Sequence, residues 1–337
     1  MTKTQRKYVS LAFGVLVSGL VMWALFRNIE FAELWLALQG ANYWLLIPNI
    51  TLVVFAMYQR AYRWKYMVEP IKQVPYSKLL AATCIGFMAN NVLPLRLGEF
   101  VRAYSLSYQD RDVSKSSSLG MIFVERMVFD LAALLLIFGV VIAVASVNIT
   151  AEIRTGVFMA TAIAMGGLIV VLTMAKTPER TSQLLTRYLF FLPQRYRDWL
   201  RAMIIRFSSG LQFVLRPRTF WAVAVHTLLI WLVMGISNYS VFLAFGFDVP
   251  LDASYFLLVV VSISILVPST PGFIGVYHAG TVFTLAQYGI YGEKALSFAL
   301  VLHAAQYIPV TLMGFYFLKK AHLSLKKLEE EATEVVA

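Results

Sequence analysis

Long apolar segments are the feature that most constrains this chain. Six have the length of a membrane-spanning helix, for which about 20 residues are needed; they are Tyr8–Phe26, Tyr43–Tyr58, Ser117–Val147, Gly156–Ala175, Phe220–Phe247 and Ala295–Leu318. The 337 residues are 59% hydrophobic and only 14% charged. Because soluble domains average about 25% charged residues, this composition excludes soluble, disordered and disulfide-rich secreted classes. The sequence therefore predicts an all-α polytopic membrane protein.

Two further apolar segments are interrupted. Leu79–Leu95 contains Asn90, Asn91 and Pro94, and Ser254–Tyr288 is broken by the run Pro268-Ser269-Thr270-Pro271-Gly272. A broken backbone is tolerated at membrane depth only where protein or a watery cavity covers its polar groups. We therefore expect re-entrant hairpins at about 79–106 and 254–288. Their predicted hinge residues are Pro94, Gly98, Pro268, Pro271, Gly272 and Gly275.

The basic residues indicate the topology. If both hairpins leave on the side they entered, the inner segments are 1–7, 59–78, 96–116, 176–218 and 319–337, and these hold 25 of the 29 Lys and Arg residues. Cytoplasmic loops are enriched in Lys and Arg. The net charge of +11 therefore indicates membrane topology rather than nucleic-acid binding. We predict a multi-pass protein of the cytoplasmic membrane with both termini inside, its first span being uncleaved.

The two hairpins resemble each other in opposite orientations. Leu93-Pro94-x-x-x-Gly98 matches Val267-Pro268-x-x-x-Gly272, and a full span with polar groups follows each motif. Inverted repeats with broken helices that meet near the midplane are typical of transporters. The predicted fold thus has about six full spans plus two oppositely oriented re-entrant hairpins.

A single transmembrane domain is expected over residues 1–318. Within it, residues 178–216 carry an apolar stripe and predict an amphipathic segment at the cytoplasmic surface. This segment is either a platform that gathers anionic lipid or a structural connector. Residues 319–337 are predicted to be a charged cytoplasmic tail.

The first candidate site follows the first break. Asn90 and Asn91 precede Pro94, and Arg96, Glu99 and Arg102 come after it. If these three begin a new helix, their spacing places them on one face, where arginines hold phosphate oxygens well. The alternative is an interfacial loop with ordinary solvated charges.

A second charged cluster lies inside a predicted span. Glu125, Arg126 and Asp130 occupy Ser117–Val147, where a charge costs about 2.5–3.5 kcal/mol on insertion scales. Arg126 and Asp130 are four residues apart, a spacing at which they can pair along a helix. Glu125 would then pair with Arg96 or Arg102. The cluster either binds substrate or is a structural ion pair that locks two helices.

The second hairpin offers no acid. His278 follows its break, and His303 and Gln306 on the last span could face it as substrate contacts; packing roles are the alternative. The four histidines and the single Cys84 show no metal-ligand spacing. We expect no metal, no cofactor and no catalytic residue.

These residues resemble a known family. NNVLPLRLGEFVRAY, the Glu125-Arg126 pair and VPSTPGFIGVYH are similar to the lysylphosphatidylglycerol synthetase-type transmembrane domains, also termed flippase-like or UPF0104. The resemblance covers nearly the whole chain. It implies movement of a lipid between leaflets, of aminoacylated phosphatidylglycerol in some members, whereas other members are associated with glycolipid or polyprenyl-phosphate sugar pathways. The chain ends about twenty residues after its last predicted span, so we expect no soluble aminoacyltransferase domain.

The favoured function is movement of an anionic phospholipid or a lipid-linked phosphate through a polar cavity between the hairpins. No nucleotide-binding GxxxxGK[ST] run is present, so movement would be downhill or ion-coupled. The predicted partners are membrane lipids and a separately encoded lipid-modifying enzyme, with no nucleic acid, and homo-oligomerisation is left open. One alternative is a transferase acting on a lipid phosphate, with Glu99 or Glu125 as the base and Asp110 and Asp112 as candidate loop acids. The other is a receptor-like or assembly protein.

Overall fold

The computed structural model describes residues 3–144, 151–188, 193–267 and 269–336, and every regular element within these ranges is helical. The helices are α1 (Lys3–Phe26), α2 (Phe31–Gln39), α3 (Leu46–Val68), α4 (Tyr76–Val92), α5 (Gly98–Gln109), α6 (Lys115–Val124), α7 (Leu131–Val144), α8 (Ala151–Lys176), α9 (Pro178–Tyr188), α10 (Gln194–Ser209), α11 (Pro217–Ala244), α12 (Leu251–Ser264), α13 (Val276–Gln287), α14 (Gly292–Lys320) and α15 (Leu325–Val336). A π-helical segment, Glu125–Asp130, joins α6 to α7 without a break.

Three helices of the described chain are long and apolar enough to cross a membrane. They are Lys115–Val144, α11 and α14. Residues 12–26 of α1 meet this criterion only together with α2, and the two are bent by 88°. The fold is that of an all-α membrane protein, as the composition predicts.

The two interrupted segments form helical hairpins. In the first, α4 and α5 pack against each other and are joined by a 3-10 turn, Pro94–Arg96. In the second, α12 and α13 pack together around the turn Pro271–Phe273. Pro268 lies outside the described residues. The two turns contact each other, so the breaks of both hairpins meet inside the fold.

The centre of the molecule is built from α3, α4, α11 and α14. Helix α3 packs against the other three, and α4 also packs along α14. Gly314 of α14 allows this approach, because a Cβ there would lie 2.7 Å from the carbonyl oxygen of Cys84. Helices α5 and α6 then cover the side of α3 and α4, which encloses the charged residues described below.

Several elements differ from the sequence-based predictions. The apolar segment predicted to end at Tyr58 continues as helix to Val68, so part of the predicted loop 59–78 belongs to the core. Helix α2 was not predicted. The predicted amphipathic segment contains two helices, α9 and α10, and α10 packs on α6.

The predicted charged tail contains helix α15, which packs on α5. Leu328 is fully buried there, and the Lys115 ammonium lies 2.5 Å from a carboxylate oxygen of Glu331. The tail is therefore anchored to the first hairpin.

Candidate functional site

A buried arginine of α3 binds two carboxylates of the π segment. Arg63 Nη2 lies 2.6 Å from Glu125 Oε1, and Arg63 Nη1 lies 2.6 Å from Asp130 Oδ1. Neither Arg63 nor Glu125 has any solvent exposure. Arg63 Nη1 also donates to the hydroxyl of Thr227 at 2.8 Å. Arg63 thus ties α3 to the π segment and to α11.

The π geometry explains how both carboxylates reach one guanidinium. In a regular α-helix, residues five apart point roughly 140° away from each other. The wider π turn brings residues five apart close to the same face. Glu125 and Asp130 consequently both face Arg63, an arrangement that a regular helix would not give. Single π turns inside α-helices occur frequently at functional sites.

Arg102 of α5 adds a second cation to Glu125. Its Nη1 lies 2.9 Å from Glu125 Oε1 and 3.0 Å from Oε2. The same guanidinium lies over the Trp64 ring, 4.0 Å from its centroid. Of the two partners predicted for Glu125, the structure gives Arg102.

Arg126 and Glu99 form the accessible edge of the network. Arg126 contacts Asp130 at 3.2 Å and Glu99 at 3.6 Å, and the Arg126 and Glu99 side chains are 27% and 25% exposed. Asn90 donates to Glu99 at 3.3 Å and accepts from the Gly98 N–H at 2.8 Å. The first break therefore positions an acid and an amide beside Arg126.

Arg60 is buried beside the network without a carboxylate partner. It is 7% exposed, and it forms no ion pair with any described residue. Its guanidinium lies 4.9 Å from the centroid of the Phe87 ring and 5.8 Å from that of Trp231. The Arg126 guanidinium also lies over the Phe87 ring, 5.3 Å from its centroid. Two arginines thus share one aromatic ring, and of these two only Arg126 contacts acids in the described chain.

The network has more positive than negative groups. We define the arginine network as Arg60, Arg63, Arg102, Arg126, Glu99, Glu125 and Asp130, four cations and three carboxylates. Buried charges are stable only when they are paired and hydrogen bonded. A further anion would complete the pairing.

The second hairpin contacts the first through Arg96. This side chain donates to the carbonyl oxygen of Ile265 at 2.7 Å and lies over the Phe273 ring at 5.2 Å. Arg96 has a φ of 53°, a left-handed conformation that non-glycine residues rarely adopt and that concentrates at functional sites. The helix begins only at Gly98, so the prediction that Arg96, Glu99 and Arg102 share one helical face is wrong. Arg96 faces the other hairpin.

The polar residues of the second hairpin and α14 pack together. His303 stacks on Tyr277 with ring centroids 4.5 Å apart and meets the His278 ring edge-on at 4.9 Å. Gln306 accepts from the Tyr277 hydroxyl at 3.1 Å and donates to Asn238 at 2.7 Å. The structure brings His278, His303 and Gln306 into one cluster.

Asn91 links the first break to α14. Its side-chain amide donates to the Thr311 hydroxyl at 2.8 Å, and its backbone carbonyl oxygen accepts from the Tyr307 hydroxyl at 3.2 Å. A Cβ on Gly272 would lie 2.7 Å from the Tyr307 ring. Tyr307 therefore lies between the two breaks.

Helix α1 supports the second break. Ser18 Oγ accepts from the Thr270 N–H at 3.0 Å and donates to the carbonyl oxygen of Ile274 at 2.8 Å. Gly272 and Gly275 have φ values of 73° and 89°, which residues with a Cβ adopt only at a cost. This backbone path explains the glycines of the motif.

Asp110 and Asp112, the candidate acids of a transferase, form ion pairs with lysines. Lys72 contacts Asp110 at 3.0 Å and Asp112 at 2.6 Å, and Lys78 contacts Asp110 at 3.3 Å. Burial raises the pKa of Asp110, but the hydrogen bonds from both lysines outweigh it and hold the pKa below its ordinary value. These ion pairs hold the loop after α5 against the segment that joins α3 to α4, which is a structural role. No group of three metal-ligating side chains occurs among the residues that the structure describes.

Arg60 and Arg63 were not among the predicted site residues. Both were counted as cytoplasmic loop charges, because α3 was predicted to end at Tyr58. A signal was available: Arg60, Arg63, Trp64 and Met67 share one helical face at spacings of three and four, and all are buried.

The chain matches the family model described as "Lysylphosphatidylglycerol synthase TM region" over residues 11–314. It is similar to the glycosyltransferase AglD of Haloferax volcanii, with 26% identity over 97% of this chain. That match covers 57% of the relative, so the chain spans little more than half of its length. It is also similar to a UPF0104 membrane protein of Methanothermobacter thermautotrophicus, with 24% identity over 93% of both chains. No solved structure matches the chain.

Proposed function

We propose that this chain, which belongs to the lysylphosphatidylglycerol synthase transmembrane-region family, moves an anionic phospholipid or a lipid-linked phosphate between the leaflets of a membrane. The headgroup would pass between the two hairpins while the acyl or prenyl tails stay in the bilayer. The observation that carries this proposal is the arginine network, in which Arg60 is buried and has no carboxylate partner in the described chain.

An anionic headgroup would complete the pairing of that network. A phosphate group accepts two parallel hydrogen bonds from one guanidinium through two of its oxygens. The accessible edge at Arg126 and Glu99 would receive the headgroup first, and Arg60, which contacts the same Phe87 ring as Arg126, would take part once the headgroup is inside. The excess positive charge favours an anion over a neutral or cationic headgroup.

The proposed site includes polar residues of both hairpins and of α14. The substrate-binding set is Asn90, Asn91, Arg96, Glu99, Arg102, Glu125, Arg126, Asp130, His278, His303 and Gln306, joined by Arg60 and Arg63. Pro94, Gly98, Pro268, Pro271, Gly272 and Gly275 are the proposed hinges. The contact between the two turns supports a model in which movement of one hairpin alters the other.

The membrane arrangement is part of the proposal. It has six full spans, two re-entrant hairpins of opposite orientation and both termini on the cytoplasmic side of the cell membrane, within one domain over residues 1–318. The distribution of Lys and Arg supports it. A separately encoded lipid-modifying enzyme is the proposed source of the cargo.

Reconstitution tests the proposal. Purified protein in liposomes is supplied with headgroup-labelled phosphatidylglycerol, a labelled polyprenyl phosphate or labelled phosphatidylcholine. An impermeant quencher then reports how fast inner-leaflet label becomes accessible. We expect protein-dependent exchange of at least one anionic lipid and none of phosphatidylcholine. If correctly folded protein moves no anionic lipid, the proposal is wrong.

The name of the relative AglD favours a second candidate, a transferase that acts on a lipid phosphate. The loop acids Asp110 and Asp112 are engaged by Lys72 and Lys78. The candidate base Glu125 is buried against Arg63 and Arg102, which disfavours a general-base role for these three carboxylates. Transfer of a labelled sugar from a polyprenyl-phosphate donor by the purified chain, lost on Asp110→Ala, would support this candidate.

A further inference from the structure

A cavity lies on the opposite side of α3 from the arginine network. Its volume is about 610 Å³, which is within the size range of small-molecule sites. It lies at the C-terminal end of α3, where the chain turns into α4 and meets the start of α11. Its lining includes Tyr62, Tyr66, Tyr76, Lys65, Glu69 and Arg218. Nothing in the proposed translocation path uses this cavity.

Three tyrosines form a preorganised aromatic wall of the cavity. The ring centroids of Tyr62 and Tyr66 are 5.8 Å apart, and those of Tyr62 and Tyr76 are 5.7 Å apart. His226 packs against both Tyr62 and Tyr66, and its Nδ1 lies 2.8 Å from an oxygen of Gln59. Because these contacts hold the rings in place, a ligand would bind without first ordering them.

The charged groups of the cavity are not paired with one another. Lys65 and Glu69 are four apart on one helix, a spacing at which such residues commonly form an ion pair. Neither they nor Arg218 forms an ion pair with any residue that the structure describes. The Lys65 ammonium lies instead over the Tyr62 ring, 5.4 Å from its centroid. The cavity thus presents two cations, one acid and several aromatic faces.

We infer that this cavity binds the headgroup of a zwitterionic phospholipid, one that carries both a phosphate and an ammonium group. The phosphate would bind Lys65 and Arg218, since lysine and arginine are the usual phosphate-binding side chains. The ammonium would bind Glu69 and the faces of the tyrosine rings, which attract cations. A headgroup without an ammonium would leave the Glu69 carboxylate without a partner beside a phosphate.

The surroundings of the cavity suit a lipid. Tyr62 is 40% exposed, and Trp221, one turn into α11 from Arg218, is 65% exposed. Amphipathic aromatic side chains of this kind anchor proteins at the membrane interface. The loop 69–75 and the start of α11 both lie in segments whose basic residues predict a cytoplasmic position. The bound headgroup would therefore come from the inner leaflet.

Native mass spectrometry of the delipidated, full-length protein tests the inference. The protein is titrated with dihexanoyl-phosphatidylethanolamine and separately with dihexanoyl-phosphatidylglycerol. We compare the part of the binding that Arg218→Gln weakens, which excludes lipid held by the arginine network, and in that part we expect phosphatidylethanolamine to bind about tenfold more tightly. Glu69→Gln should remove this preference, and Arg218→Gln should weaken the binding of both lipids.

Matched variants control for general surface effects. Arg216→Gln and Glu179→Gln change exposed charges outside the cavity and should leave both affinities unchanged. Lys65→Gln provides a second test of the phosphate subsite if Arg218→Gln does not fold. The inference is overturned if the binding that depends on Arg218 or Lys65 is equal or tighter for phosphatidylglycerol, if its preference survives Glu69→Gln, or if neither lipid shows saturable binding that depends on these residues. The measurement is made at equilibrium, so it does not depend on translocation.

Discussion

Arg63 and Glu125 lie 2.6 Å apart although they stand 62 positions apart in the sequence, and neither side chain is exposed. Each also binds a second charged group, Asp130 for Arg63 and Arg102 for Glu125. This pair connects α3, the π segment and the first hairpin. The stability of the fold and the position of the proposed site therefore depend on the same ions.

The first prediction concerns Glu125. In Glu125→Gln, Arg63 loses one partner and Arg102 loses the carboxylate it binds, which leaves buried charge uncompensated. Removing one partner of a buried pair costs about 3–5 kcal/mol, so we expect a clear fall in Tm in detergent. Glu330→Gln removes an exposed carboxylate that lies 4.0 Å from Lys326 and should leave Tm unchanged. Equal Tm values for both variants would contradict the network as described.

The second prediction separates Arg60 from Arg63. Arg63→Gln leaves Glu125 and Asp130 short of a cation and should destabilise the protein by about 3–5 kcal/mol. Arg60→Gln removes a charge that pairs with no described carboxylate, and it should change stability by less than about 1 kcal/mol or increase it. Thermal unfolding of both variants in the same detergent provides the comparison. A larger loss for Arg60→Gln would mean that Arg60 has a structural partner.

The third prediction concerns the close approach of α4 and α5. A Cβ on Gly98 would lie 2.5 Å from Asn90 Oδ1 and would also meet the Gly86 carbonyl oxygen. Gly98→Ala must push the hairpin apart, at a cost of about 1–3 kcal/mol, and should lower Tm. Gly139→Ala is the matched control, since no described atom apart from the neighbouring backbone of its own helix lies within 4 Å of the added methyl group. A Gly98→Ala protein as stable as Gly139→Ala would show that the hairpin is packed differently.

The fourth prediction concerns pH. Lys72 and Lys78 hold the pKa of Asp110 below its ordinary value of 3.8. A carboxyl group with a lowered folded-state pKa stabilises the protein above its unfolded pKa, and this contribution is lost as the pH falls through the folded value. Asp110→Asn should therefore lower Tm at pH 7, and the difference from the wild type should shrink below about pH 4. A Tm difference that stays constant from about pH 7 to about pH 3 would contradict the ion pairs.

The sequence predicted the parts of the fold that local signals determine. Proline removes a backbone donor and glycine lowers helix propensity, and their clustering at Pro94–Gly98 and at Pro271–Gly272 indicated the breaks. A single proline does not suffice, because Pro309 lies inside α14. A described helix also lies in each of the six predicted apolar segments. Glu125, Arg126 and Asp130 stood out because charges are rare in so apolar a segment.

Hydropathy could not recover Arg60 and Arg63, because it treats every arginine as a surface residue. The burial of Arg63 depends on acids more than 60 residues away in the chain and on a π turn that aligns Glu125 with Asp130. Neither is a local property of the sequence. The docking of α15 was missed for a similar reason, since the partner of Glu331 is Lys115.

The most direct test of the proposed translocation is the rate at which a labelled anionic lipid crosses liposomes that contain the wild type, Arg60→Gln or the exposed control Arg27→Gln. Arg60→Gln is suited to this comparison because we expect it to fold normally. We predict equal rates for the wild type and Arg27→Gln and a rate at least about tenfold lower for Arg60→Gln. If Arg60→Gln folds and moves the lipid as fast as the wild type, the arginine network does not receive the headgroup.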